Sequence, residues 1–346
     1  MCEDLGKNND STKGPSLGYR PDLNCESNHM NQKLDSIFIS IVVITWNRRK
    51  DVLETIQAVY DQEYKEFEII VVDNGSNDQT VEAIVQTYPE VKLIALQCNM
   101  GVSYARNSGI AAAQGEIIIC LDSDASPSSN MFGNIVKKFQ SASKVGVINS
   151  KIVNAFTKKI DNIAGWSYSE NDLAFQDTEF LSFSFSEGGC AIRKDVFDRV
   201  GLFWEHLFFG YEGMEFSLRV LDAGYDILYF PDSLVFHRAS PQSRIYGGER
   251  EAMLFTHCLS VYLLRFPWWM LLIFIPLKTG ATLLRGARRG YLIHIWHGWN
   301  DFLHQFPLVL KERKPIQNTT ALHYLKLQRQ HGPLSWNLFT WLKHKM

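Results

Sequence analysis

Six cysteines in 346 residues, at positions 2, 25, 98, 120, 190 and 258, make no Cys-x-x-Cys pair and no dense framework. That spacing excludes a disulfide scaffold and fits reduced thiols in a cytosolic protein. No internal repeat runs through the chain, so a solenoid or repeat array is excluded. A secretory signal is also missing: residues 1–35 are polar, with Lys7, Asn8, Asn9, Asp10 and a Gly14-Pro15 pair, and read as a mobile extension. Nor is there a long apolar run. The stretch Phe266 to Leu277 is twelve uncharged residues bracketed by Arg265 and Lys278, with Pro267 and Pro276 inside it. Crossing a bilayer takes roughly 20 apolar residues, so one clean span is not expected.

What is present is apolar enough to fold. The chain is 46% hydrophobic and 13% aromatic, too apolar for a mostly disordered protein. Its formal charge of -2 conceals an asymmetry: from Thr256 onward there are twelve Lys or Arg against two acidic residues. A basic, aromatic tail on an acidic body points to an anionic partner. Phosphate grooves for nucleic acid use Lys, Arg and stacking aromatics. The uncharged, proline-bordered run fits lipid better, so no nucleic acid is expected. Residues 241–346 therefore read as a basic, aromatic-rich helical tail lying on an anionic membrane surface, with snorkelling basic side chains. Leu334 to Trp341 adds further aromatics beside Lys343 and Lys345. A hydrophobic dimer interface is the other use of such a surface, so a homo-oligomer is possible.

Ahead of the tail the pattern alternates. IFISIVVIT at Ile37 to Thr45 is a buried parallel strand by composition, followed by a helix with Val52, Ile56 and Val59 on one face. Strands at Glu68 to Val72, Val91 to Leu96 and Ile117 to Leu121 follow, interleaved with helices at Thr80 to Thr87 and Val102 to Ala113. This order predicts an α/β fold with a mostly parallel central sheet and flanking helices. Further on, Val145 to Val153 and an alternating Phe180 to Ser186 read as strands, and Lys194 to Val200 and Glu212 to Ala223 as helices. Two short strands flank Pro231-Asp232. Residues 36–125 and 126–240 read as two halves of this unit.

Open α/β sheets bind ligands beyond the carboxyl ends of their strands. Three such ends are polar here: Thr45 to Arg48, Asp73 to Asp78, and Asp122 to Asp124. Asp73 by itself is as good a turn former as a ligand contact. Asp122 and Asp124 together suit a divalent metal that keeps oxygen ligands and binds phosphates, or else a solvated acidic turn.

The ordered segments ISIVVITWNR, IIVVDNGSNDQT and NMGVSYARNSGIAAAQGEIIICLDSDASP resemble glycosyltransferase family 2, whose members adopt the GT-A fold. The later stretch from Gly188 to His237 is similar to its rhamnosyltransferase-like branch. The resemblance implies a nucleotide-sugar donor site, with residues 36–125 as the nucleotide-binding half and 126–240 as the acceptor-binding, catalytic half. Asp73 resembles the base-contacting aspartate, Thr45 and Asn47 line that pocket, and Arg106 is its arginine. Asp122 and Asp124 match the Asp-x-Asp motif, the first near the ribose and the second on the metal, Mg²⁺ or Mn²⁺. His237 resembles a histidine that approaches the metal or diphosphate, and Gly189 belongs to the tight Gly188-Gly189-Cys190 segment beside the donor sugar.

One departure stands out. Relatives carry Gly-Glu-Asp-x-Asp-Leu, the second acidic residue of the pair being the catalytic base. Here the segment is Tyr211-Glu212-Gly213-Met214-Glu215-Phe216, with glycine where the base is expected. Glu212 is the first candidate for that task and Glu215 the second. The expectation is an inverting, metal-dependent transfer of a hexosyl or rhamnosyl group from a UDP- or dTDP-sugar. The acceptor would be a cell-surface glycan or lipid-linked sugar, reached from the cytoplasmic face of the membrane. Gly213 keeps one alternative open, a non-catalytic nucleotide-sugar or glycan-binding protein on the same fold.

Overall fold

Five consecutive β-branched or apolar residues can sit in a strand only if both faces are covered, and β1 (Ile39–Thr45) is buried along its whole length. It is flanked by β2 (Phe67–Asp73) and β4 (Ile117–Asp122), and β3 (Lys92–Ala95) lies outside β2, all parallel. In a computed structural model that describes residues 36–161, 168, 170–239 and 245–332, these strands begin a nine-stranded sheet. Residues 1–35 and 333–346, which contain the expected mobile extension and the Leu334 to Trp341 segment, lie outside the described residues.

The second half of the sheet is mixed. Strand β8 (Gly189–Arg193) runs antiparallel to both β4 and β6 (Val145–Asn154), while β9 (Asp226–His237) is parallel to β6. The edge strands β5 (Ala125–Pro127) and β7 (Phe180–Leu181) are antiparallel to β9. The expectation of a mostly parallel sheet thus describes its first half; in the second half β8 inverts. The two short strands read around Pro231-Asp232 are one strand, β9, whose register against β6 shifts between Ser150 and Lys151. A bulge there lets the strand carry its proline. The alternating stretch after Phe180 keeps only two residues of strand.

Successive side chains of a strand point to opposite faces, so the sheet divides its own core. Ile39, Ile41 and Val43 pack with Val52, Ile56 and Val59 of α1 (Arg49–Tyr60) and with Phe132, Ile135 and Phe139 of α4 (Met131–Ser141). Val42, Ile118 and Cys120 face the other layer, with Ile110 of α3 (Val102–Ala111) and Phe216 and Leu218 of α6 (Glu212–Asp222). Burying each such Ile, Val or Leu contributes roughly 1.5–3 kcal/mol. Four cysteines among the described residues, Cys98, Cys120, Cys190 and Cys258, are free.

The tail is helical, as its composition suggests: α7 (Gly247–Arg265), α8 (Trp268–Arg289), α9 (Leu292–Lys311) and α10 (Asn318–His331). Helices α7 and α9 cross closely because Gly298 has no side chain; a Cβ there would lie 2.6 Å from the Ala252 carbonyl oxygen. Helix α8 runs continuously from Trp268 through the rest of the uncharged stretch and beyond it. Pro267 caps it instead of interrupting it, and Pro276 lies inside it on an exposed face. Charged residues enter the same helix at Lys278 and Arg285, so the continuous helix is longer than the uncharged run. Among the described residues it is the one helix long and apolar enough to cross a membrane by length and composition. Leu272, Ile273, Leu277, Leu283 and Leu284 of α8 are exposed, as are Leu292, Ile293, Trp296 and Leu303 of α9.

Candidate active site

The connections from β1 toward β2 and from β3 back to β4 leave β1 in opposite directions. A crevice must open beyond the carboxyl ends of β1 and β4. There lies a cleft of about 590 Å³, whose floor is made by Thr45, Arg106, Asp122, Ser123, Asp124, Glu187, Gly188, Glu212 and His237. Register sets this meeting: Ile44 pairs with Asp122, and Thr45 with Asp73.

Of the two acidic residues after β4, Asp124 is buried and Asp122 half-exposed. The Asp124 carboxylate accepts a hydrogen bond from Arg48 Nη1 at 2.5 Å, and His237 Nε2 is 3.4 Å from the same oxygen. The other ring nitrogen of His237 is 2.7 Å from Asp161 Oδ2. Burial alone would lower the affinity of His237 for its proton. Hydrogen bonds to Asp124 and Asp161 outweigh it and push the group up to about 9. The turn itself is clamped by Arg238, whose side chain donates to the Ser123 carbonyl oxygen and to Thr55 Oγ1, at 3.2 and 2.7 Å.

Arg106 joins the donor side of the cleft to the opposite wall. Its guanidinium donates to Asp122 Oδ1 at 2.8 Å and stands 3.6 Å from Glu212 Oε1. Burial disfavours its charge, but Asp122, Glu187 and Glu212 more than compensate and hold it as a cation. Glu212 is buried, and burial raises it from the usual carboxylate range while Arg106 pulls it down. Glu187 is only partly buried, yet burial and the neighbouring Glu212 push it up to about 8, against the pull of Arg106.

Six residues expected from sequence meet in this cleft: Thr45, Arg106, Asp122, Asp124, Glu212 and His237. Four do not line it. Asp73 lies behind the wall, buried, with Oδ2 accepting from Ser76 N–H at 2.9 Å and Oδ1 buried without a hydrogen-bond partner among the described residues. Asn47 adopts a positive φ of 52° and ties two strand-end loops together, its Oδ1 accepting from Asn77 N–H at 2.8 Å. Gly189 is inside β8 and turned toward Ile152; Gly188, one residue earlier, is the glycine at the cleft. A Cβ on Gly188 would lie 2.3 Å from Asp122 Oδ2, so only glycine lets that loop approach. Glu215 is fully buried below α6, with its oxygens taken by Arg219 and Arg265 at 2.6 Å each. Held by these two arginines, its carboxylate is kept out of the cleft lining.

Sequence reasoning missed four contributors. Arg48 and Arg238 carry no spacing signal. Asp161 follows β6 in a segment with no motif. Glu187 had one available signal, an acidic residue directly before Gly188-Gly189, facing the position where an acid is missing.

A mixed α/β sheet with paired acidic residues at the switch point is the architecture of the GT-A fold. Residues 40–201 match Glycosyl transferase family 2. It is 26% identical over 287 residues to glycosyltransferase AglE of Haloferax volcanii, covering 75% of this chain and 91% of that one. An uncharacterized glycosyltransferase of Nostoc is 32% identical over 47% of this chain, which spans about half (52%) of that relative's length. Among solved structures, GalNAc-T7 with UDP, GalNAc and Mn²⁺ superposes with a TM-score of 0.58 over 71% of this chain and 51% of that chain. At 17% identity that likeness shows the fold alone.

Proposed function

We propose that this protein is a metal-dependent, inverting glycosyltransferase that moves a hexosyl or rhamnosyl group from a UDP- or dTDP-sugar to a glycan or lipid-linked acceptor at the membrane. The observation that carries this reading is the convergence of Asp122, Asp124, Arg106 and His237 on one cleft floor. On the same cleft lining, Thr45 Oγ1 is buried without a hydrogen-bond partner among the described residues. Such an orphan is costly unless a ligand meets it, and a nucleotide base offers N–H donors of the right kind.

The donor set fits a divalent cation. Asp124 and His237 offer one carboxylate oxygen and one imidazole nitrogen, with Asp161 holding the far side of the ring as a supporting carboxylate does at metal sites. Among the described residues no group of three or more acidic, His or Cys side chains forms a cage. Asp124 and His237 would hold Mg²⁺ or Mn²⁺, which when bound would supply positive charge for the leaving diphosphate. Arg48 and Arg106 add fixed positive charge along the same floor, and Asp122 accepts from the ribose. The acceptor oxygen attacks opposite the leaving diphosphate, which requires a proton acceptor on the far wall, where Glu187 and Glu212 stand.

Support for a membrane-proximal acceptor comes from the tail. Arg250 of α7, Arg289 of α8 and Tyr291 form the outer wall of the cleft, on the helices that expose the apolar side chains of α8 and α9. Lys278 of α8 donates to Tyr211 Oη at 2.8 Å, next to Glu212. The proposed placement is peripheral, on the cytoplasmic face, with basic residues toward anionic headgroups.

The test is nucleoside diphosphate release by purified protein from UDP- and dTDP-sugars with Mn²⁺ or Mg²⁺, with and without lipid-linked acceptors in vesicles. Acceptor-stimulated release, lost in Asp124→Asn, is the expected result. Donor binding by calorimetry with no transfer across the panel would instead make this a non-catalytic binder.

A further inference from the structure

The position of Gly213 in the first turn of α6 is not explained by its backbone. Its φ lies outside the left-handed region, and glycine within a helix costs about 1 kcal/mol relative to alanine. The explanation is the space beside it. A Cβ built on Gly213 would lie 1.9 Å from Glu187 Oε1 and 2.6 Å from Glu187 Cδ. The carboxylate of Glu187, arriving from the loop before β8, fills the volume that a side chain at 213 would occupy.

Building on the transfer reading above, we infer that Glu187 is the catalytic base, its carboxylate lodged in the space left by Gly213 and facing the acceptor side of the cleft. Glu212, the acid next in sequence to the gap, is less able to do this. Its Oε2 is buried from solvent with no hydrogen-bond partner meeting full geometry among the described residues, and its Oε1 is turned toward Arg106. Glu187 is partly open to the cleft. The charged and titratable groups around Glu187 are Glu212 from α6, Arg106 from α3, Asp122 from β4 and the Cys190 thiol from β8. Glu212 then acts as a positioning residue: its negative charge raises the proton affinity of Glu187, and Arg106 restrains the rise. A base held near working pH is the efficient case. In the step itself the acceptor oxygen bonds to the anomeric carbon, and the carbon–oxygen bond to the diphosphate breaks with its electron pair leaving on the diphosphate. The acceptor's hydroxyl proton passes to Glu187.

The experiment compares wild type, Glu187→Gln, Glu212→Gln and Gly213→Ala on one donor–acceptor pair, with pH profiles of kcat/KM and donor binding by calorimetry; melting curves confirm that each variant is folded. Glu187→Gln should lose roughly 100-fold or more in kcat, with donor affinity within about threefold. Glu212→Gln should lower kcat by about tenfold or less, with the acidic limb of its profile displaced to lower pH because the repelling charge is gone. Gly213→Ala, whose methyl group displaces the Glu187 carboxylate, should cut kcat in the wild-type background and add nothing to Glu187→Gln. Full activity in Glu187→Gln, or abolition by Glu212→Gln with only a shifted limb in Glu187→Gln, overturns the assignment while leaving the transfer reading intact. Wild-type protein that binds donor and transfers nothing overturns both.

Discussion

Removing Glu215 tests whether an acidic residue in the motif segment serves the fold or the reaction. Its carboxylate is fully buried and receives Arg219 Nε at 2.9 Å, Arg219 Nη2 at 2.6 Å and Arg265 Nε at 2.6 Å. Arg219 also holds the Leu202 carbonyl oxygen, and Arg265 that of Lys314, so this carboxylate joins α6, the loop after α5 (Lys194–Val200) and α7 to the segment before α10. Glu215→Ala leaves two confined guanidinium groups without their counter-charge. Breaking a buried pair from one side costs about 3–5 kcal/mol. At roughly 2 °C per kcal/mol for a large domain, Tm should fall by about 6–10 °C. The assay is thermal unfolding followed by circular dichroism, with transfer measured well below the transition. Activity per folded molecule should stay within about twofold of wild type. An unchanged Tm together with a loss of roughly 100-fold in kcat would refute the structural assignment and return Glu215 to the chemistry.

Three further outcomes are expected. Glu187 holds its proton more tightly folded than unfolded, up to about 8 against an ordinary 4.5. Its contribution to stability is therefore present below pH 4.5 and lost as pH rises through 8, so Glu187→Gln should gain in Tm relative to wild type between pH 5 and 9; a constant difference across that range would contradict the raised proton affinity. Gly188→Ala places a methyl carbon 2.3 Å from Asp122 Oδ2 and should displace that carboxylate from Arg106, weakening donor binding by roughly tenfold, about 1.5 kcal/mol, in calorimetry. Replacing Leu272, Leu284 and Trp296 by glutamate removes exposed apolar area and adds negative charge, and should abolish flotation with anionic liposomes while leaving donor binding unchanged.

Much of the donor half is written locally. Continuous β-branched runs announce β1, β2 and β4 because a strand buried on both faces needs apolar residues throughout, and the turn residues after them mark where a ligand can reach the backbone. Helices α1, α2 (Thr80–Thr87), α3 and α6 are legible from apolar spacing. Strand β8 is not: Gly189 to Arg193 is five residues with little periodicity, and its place between β4 and β6 comes from pairing with strands about 40 to 70 residues away. The full extent of helix α8 was not legible for a related reason. Pro276 interrupts a sequence pattern, but on an exposed helix face its ring has room, and the interruption does not reach the fold.

The sequence alone determined the resemblance to glycosyltransferase family 2, the sheet's parallel half and the acidic pair Asp122 and Asp124, since each follows from residues close together in the chain. Only the tertiary structure decided which acids reach the cleft. Glu212 and Glu215 are three residues apart and look equivalent, yet one carboxylate lies toward Arg106 and the other is held by Arg219 and Arg265. Glu187 and Gly213 are 26 positions apart, and no local pattern links a carboxylate to the side chain that is missing. Packing links them, because one volume cannot hold both a Cβ at 213 and the Glu187 carboxylate.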